Sequence, residues 1–219
     1  MSLHFNFLRY FVLITLLLVS IDSYSQCFRN KGGGGGRSGS SNFSLELGAG
    51  MPLALSPSND LQFGDAKKFE LGLRYLPYGN SFGLRGYYSF TSLSDSKAEP
   101  SDHGNSFKIH KVELQGIYML DRLFNVPESS VFELESYLGV GAALGSPSSR
   151  SGTNKMLATT IGLRPRVLID NNRLHLYFDT SYTLLINQQY DYAGEPIPDA
   201  TRGNIGSMLN LSLGLNYRL

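Results

Sequence analysis

The sequence predicts an all-β protein, an eight-stranded antiparallel up-and-down barrel whose strands cross a membrane. Three observations lead there. From Asn42 to Leu219 apolar residues recur at every second position, in eight runs of roughly 9–14 residues. Successive side chains of a strand point to opposite faces, so this period marks strands, whereas a helix repeats near ~3.6 residues. The connections between runs mostly alternate long and short. The composition (24 Gly, 13 Tyr, 13 Phe, no Trp) suits strands and tight turns.

Residues 1–25 read as a signal peptide. Arg9 supplies the positive start, and Tyr10 to Ile21 is an apolar run. That run is shorter than the ~20 residues a membrane helix needs. Ser23 and Ser25 set small residues at −3 and −1 of a cut between Ser25 and Gln26. Cys27 is the one cysteine, so no internal disulfide forms. A lipid-attachment box wants Leu at −3 and a small residue at −1; Tyr24 and Gln26 stand there and read against it. Residues 26–41, with the run Gly32 to Gly36, form a flexible Gly/Ser-rich leader. A phosphate loop is excluded, because no Gly-Lys-Ser/Thr follows the glycines.

The barrel domain spans 42–219, with strands expected at about 42–53, 67–77, 81–93, 107–120, 131–144, 155–169, 174–186 and 205–219. In the last run Leu209, Leu211, Leu213, Leu215, Tyr217 and Leu219 alternate with Asn210, Ser212, Gly214, Asn216 and Arg218. In the second, Phe69, Leu71, Leu73 and Tyr75 alternate with Lys68, Glu70, Gly72 and Arg74. Long connections (54–66, 94–106, 145–154, 187–204) fall on one side, and tight turns at 78–80 and 170–173 on the other. The connection 121–130 is intermediate. Outer-membrane barrels have this asymmetry, with the long loops outside and the turns in the periplasm.

A soluble barrel alternates too, with its apolar face inward. Strand length argues for a membrane, since a tilted spanning strand needs ~9–11 residues against ~5–6 for an ordinary one. Tyr75, Tyr118, Tyr182 and Tyr217 lie in the apolar register and are expected near strand ends, as an interfacial girdle. The polar register holds Glu46, Glu70, Arg74, Arg85, Glu113, Gln115, Glu133, Glu135, Arg164, Arg166, Asp179 and Arg218, interspersed with glycines. Both signs are present in similar number, which allows an ion-paired network to fill a narrow lumen. The C-terminal run Ser212-Leu213-Gly214-Leu215-Asn216-Tyr217-Arg218-Leu219 matches the signal read by the barrel-assembly machinery, with Gly214, Tyr217 and Leu219 at its key positions. Its last residue is Leu where an aromatic is usual.

The chain resembles the transmembrane barrel of OmpA-like outer-membrane proteins. The resemblance rests on Phe82-Gly83-Leu84-Arg85-Gly86-Tyr87-Tyr88, Val112-Glu113-Leu114-Gln115-Gly116-Ile117-Tyr118 and Met208-Leu209-Asn210-Leu211-Ser212-Leu213-Gly214-Leu215. It implies the outer membrane of a Gram-negative bacterium, with outer-membrane lipid, lipopolysaccharide and the assembly machinery as partners. Family members often continue into a periplasmic peptidoglycan-binding domain, which is not expected after the last strand here.

Catalytic constellations are weak. His175, Asp179 and Ser181 share one face of strand seven, but neighbours there stand ~6.6–6.8 Å apart, too far for a triad. Glu133 and Glu135 face Arg164 and Arg166 on the next strand and read as cross-strand ion pairs. His103 lies in a loop, and His110 and His175 are expected at opposite ends of the barrel. No His/Cys cluster has metal-ligand spacing, and Asp191, Glu195 and Asp199 read as a solvated acidic loop. No catalytic, cofactor or metal site is expected. The net charge of +1 gives no field for nucleic acid. Two functions follow: an anchor that presents its outer loops to an extracellular ligand, with Tyr190, Tyr192 and Arg202 as contact candidates, or a narrow porin-like pore for ions or small solutes.

Overall fold

A computed structural model describes residues 42–56, 66–77, 80–94, 106–123, 131–147, 152–170, 173–190, 197 and 204–219. The proposed signal peptide and leader lie outside the described residues, as do Tyr192 and Arg202. The strands are β1 (Phe43–Ser56), β2 (Lys67–Tyr75), β3 (Phe82–Ser94), β4 (Ser106–Met119), β5 (Phe132–Pro147), β6 (Asn154–Asp170), β7 (Leu174–Gln188) and β8 (Asn204–Arg218). A single helical turn, α1 (Leu120–Leu123), follows β4. It sits in the connection whose intermediate length broke the long–short alternation.

All neighbours pair antiparallel, and β8 closes on β1. The register fixes the barrel's shape. From Phe43 the cross-strand partners run through Tyr75, Leu84, Gly116, Leu138, Ile161, Tyr182 and Leu209, and return to β1 at Leu53. The path has climbed ten residues, a shear of ten over eight strands. With the usual strand spacings this sets a tilt of about 40° and an interior just wide enough for side chains.

The end that carries Phe43 and Leu219 is here the inner end, and the end of the long connections the outer one. Along most of the wall the apolar register faces out. Leu47, Phe69, Leu71, Leu114, Ile161 and Leu213 are among its exposed residues. So large an apolar surface is a membrane-facing surface. Aromatic rings mark its inner edge: Phe43 stacks on Tyr75 at 4.8 Å, Phe82 pairs with Tyr118, and Tyr217 stands outward beside Leu45. Tyr182 does not join them. It pairs with Ile161 and Leu209 in mid-strand, because tilt raises this part of β7 well above the inner edge.

Towards the outer end the polarity inverts. Lys108 and His110 of β4 are exposed while Phe107 and Ile109 beside them are buried, and on β6 Lys155 is exposed while Met156 is buried. On β1, β5 and β7 the outward residues Leu55, Leu144 and Ile186 stay apolar above an inside that is apolar too, so these strands run two or three residues beyond the alternation. The strands continue above the membrane-facing belt as an ordinary barrel with an apolar inside. Asn187, with φ of 72°, adds a bulge near the end of β7 that turns Gln188 inward.

Candidate functional site: the closed lumen

The lumen is built in two layers. The inner, larger one is ionic. Glu46, Glu70, Arg74, Arg85, Glu113, Glu135, Arg164, Arg166 and Asp179 are all buried there, on seven strands. Strand alternation alone puts them inside, because each shares parity with its neighbours on the polar register. At the centre Glu135 sits 2.8 Å from Arg85, 3.2 Å from Arg74 and 3.2 Å from Arg166. Glu46 holds Arg85 at 3.1 Å and also binds Arg164. Arg164 reaches Asp179 at 3.4 Å and Glu70 at 3.8 Å. Outward from this centre the chain of contacts continues through Lys68–Glu70 at 2.9 Å and Lys111–Glu113 at 3.2 Å. The Gln115 amide joins the two parts, accepting from Arg85 at 2.6 Å and donating to Glu113 at 2.8 Å.

Glu133, half-buried at the inner mouth, pairs with Arg166 at 3.0 Å and stands 3.8 Å from His175. Arg218 is half-buried at the same mouth, opposite Ser44 of β1. The cross-strand pairing expected of Glu133, Glu135, Arg164 and Arg166 thus holds for Arg166. Arg164 stands opposite Glu135 in the register but turns across the lumen to Glu46 and Asp179. The named ion pairs join six carboxylates to six cationic side chains, so the buried charge cancels. Balance of this kind is what makes buried charge tolerable.

Three tyrosines complete the layer, and the list of charged residues missed them. The Tyr137 hydroxyl donates to Asp179 at 2.8 Å, that of Tyr177 to Glu70 at 2.9 Å, and Tyr87 also donates to Glu70. Their rings cover guanidinium groups, Arg85 lying 4.5 Å from the Tyr137 centroid and Arg164 lying 4.2 Å from that of Tyr177. Two glycines make room. Tyr137 lies over Gly162 and Tyr177 over Gly214, each directly opposite in the register. A Cβ on Gly162 would stand 2.5 Å from the Tyr137 ring and hydroxyl. Parity shows all three tyrosines in the sequence: Tyr137 follows Glu135, Tyr177 precedes Asp179, and Tyr87 follows Arg85 on the same face.

The outer layer is mainly apolar, with Asn154, Gln188 and Ser207 buried at its rim. Leu93, Phe107, Ile109, Ala143, Met156, Ala158, Leu185 and Met208 form one buried cluster above the ion pairs. Tyr190, just past the end of β7, packs half-buried against it, and its carbonyl accepts from the Gln188 amide at 2.7 Å. This loop-contact candidate is therefore tied to the plug.

The remaining candidates are dispersed. His175 is buried at the inner mouth, while Asp179 bonds to Tyr137 and Arg164, so no triad with Ser181 forms. His110 faces outward at the other end, its Nδ1 2.9 Å from the Tyr88 hydroxyl. Among the described residues no group of three or more His, Cys, Asp or Glu is placed to hold a metal ion. Gly214 faces the lumen beneath Tyr177, Tyr217 faces out, and Leu219 donates its N–H to Phe43 O at 3.0 Å across the β1–β8 seam.

No protein-family model matches the chain, and no curated protein sequence matches it significantly. Solved structures do. Neisserial surface protein A aligns at 19% identity over 83% of this chain and 100% of its own, with a TM-score of 0.48. Ail, the attachment invasion locus protein of Yersinia pestis, solved in complex with a heparin analogue, aligns at 19% over 81% of this chain and 97% of its own, with a TM-score of 0.49. A major outer membrane protein from Thermus thermophilus aligns at 15% over 81% and 99%, with a TM-score of 0.48. These are likenesses of fold, and the chain's own register and belt establish what it is: a closed, eight-stranded antiparallel barrel built to face lipid.

Proposed function

We propose that this protein is an outer-membrane anchor with a sealed lumen, whose working surface is its set of outer loops. One observation carries the reading: the lumen is filled twice over, by a charge-balanced ionic layer and by an apolar layer above it. A pore needs a continuous polar path, and a dry apolar constriction interrupts one even where charges lie beneath it. The loops between β1 and β2, β3 and β4, β5 and β6, and β7 and β8 then present the variable chemistry on a rigid scaffold. Export through the signal peptide and assembly through the C-terminal signal belong to the same reading, with outer-membrane lipid and lipopolysaccharide as surroundings.

Planar-bilayer recording of the mature chain, starting at Gln26, tests it. Insertion with a silent membrane is the expected result. Steady open conductance would make the narrow pore the leading function instead. Replacing residues 191–203 by a short Gly/Ser linker tests the loop role. It leaves Gln188 and Tyr190 in place, so the barrel stays folded while any binding through Tyr192 and Arg202 is lost.

A further inference from the structure

The outward face of the barrel is not uniform. Among the strand residues whose outward exposure is described there is no carboxylate, and the cationic side chains are Lys67, Lys108 and Lys155, all exposed and all towards the outer end. Two of the three are close together. Lys67 pairs with Ser92, and Ser92 with Lys108, so the lysines stand two strands apart in one cross-strand row. That places their backbones about 10 Å apart, within joint reach of one phosphorylated headgroup. Below the row lie Phe69, Phe90 and Tyr88, the aromatic residues expected where headgroups give way to hydrocarbon.

A groove begins at this point. It has a volume of about 530 Å³ and runs over β8, β1, β2 and β3, lined by Leu47, Phe69, Leu71, Tyr88, Leu213 and Leu215. Its accessible lining is almost wholly apolar, and its floor is the backbone at Gly48 and Gly214. Phe69 stands two residues below Lys67 on β2, about 7 Å along the strand. Leu71 and Tyr88 pair below it, Leu47 pairs with both Leu71 and Leu215, and the groove therefore descends into the belt from just beneath the lysines.

We propose that this groove and the Lys67–Lys108 row form one site for a phosphorylated lipid of the outer leaflet, with an acyl chain in the groove and headgroup phosphate on the two ammonium groups. The inference rests on the membrane-barrel reading. It goes beyond it by assigning one lipid to one place on the wall, while Lys155 on β6, two strands from the groove's deep edge on β8 and outside the Lys67–Lys108 row, takes no part. The charge signs fit, since two cations with no carboxylate among the described residues of their face meet a phosphate. The depth fits as well, since the cations stand at the outer edge of the belt and the groove inside it.

The test is retention of lipid A by the folded, detergent-solubilised chain, read as bound adducts by native mass spectrometry. The wild type should keep lipid A in preference to its dephosphorylated form. Lys67→Gln with Lys108→Gln should lower retention by about tenfold or more, given roughly 1 kcal/mol per basic residue at an anionic surface. Leu47→Trp, which fills the groove without touching a charge, should lower it too, and Lys155→Gln should not. Equal retention of the dephosphorylated lipid, equal loss with Lys155→Gln, or no effect of Leu47→Trp would each overturn the site. Heat-dependent gel mobility scores folding of every variant in parallel. A chain that never folds into detergent or bilayer would defeat the membrane-barrel reading itself, whereas a folded barrel that releases lipid A defeats this site alone.

Discussion

At the scale of single residues, the centre of the lumen is unusually dependent on one carboxylate. Glu135 is fully buried and lies against Arg74, Arg85 and Arg166. Removing one member of a buried ion pair leaves the other charge without compensation, at a typical cost of about 3–5 kcal/mol. Glu135→Gln keeps the shape but takes from Arg74 its carboxylate partner, while Arg85 keeps Glu46 and Arg166 keeps Glu133, so we expect a loss of that order. Urea unfolding in detergent micelles, followed by gel mobility, measures it. An unchanged midpoint would mean that water or the other carboxylates neutralise the site. Gly162 gives a second, steric prediction. Gly162→Ala drives a methyl into the Tyr137 ring, whereas Gly86, whose Cβ would meet nothing within 4 Å, takes Ala freely. The first should destabilise by about 1–3 kcal/mol, as overpacking does, and the second should be near neutral in the same unfolding assay.

At the scale of the strand, parity was legible and polarity only in part. All eight strands could be read from period-two alternation, because a wall with lipid on one side and a filled lumen on the other forces opposite demands on neighbouring residues. The lumenal charges could be read for the same reason. The outer ends of β1, β5 and β7 could not. There Leu55, Leu144 and Ile186 still face out while the inside is also apolar, so alternation fades although the strand continues. The partner of Arg164 was equally hidden, since its route across the lumen depends on barrel closure and not on the adjacent strand. The bulge at Asn187 belongs to this scale as well. Its left-handed conformation suits Asn or Gly and costs other residues about 1–2 kcal/mol. Asn187→Val should therefore lower stability by that amount and Asn187→Gly should not. If the two variants unfold alike, the bulge is not what holds Gln188 inward.

At the scale of the whole molecule, the two layers of the lumen make separable claims about permeability. If the ionic layer alone closed the barrel, Arg164→Ala with Arg166→Ala would open it, since this pair removes the guanidinium groups that hold Glu46, Asp179, Glu133 and Glu135 in place. The apolar layer predicts otherwise. Phe107, Ile109 and Leu185 remain above the emptied space, and an apolar constriction excludes water and ions however polar the space beneath it becomes. The double variant should therefore insert and stay silent in a planar bilayer, while becoming easier to unfold. Adding Phe107→Ala, which removes a fully buried ring from the upper layer, should then produce measurable conductance, and Phe107→Ala by itself should not, because the ion pairs still fill the lower lumen. Conductance from the double variant alone would locate the only seal in the charges and return the pore to consideration. Silence from the triple variant would place the seal in parts of the outer end above Phe107.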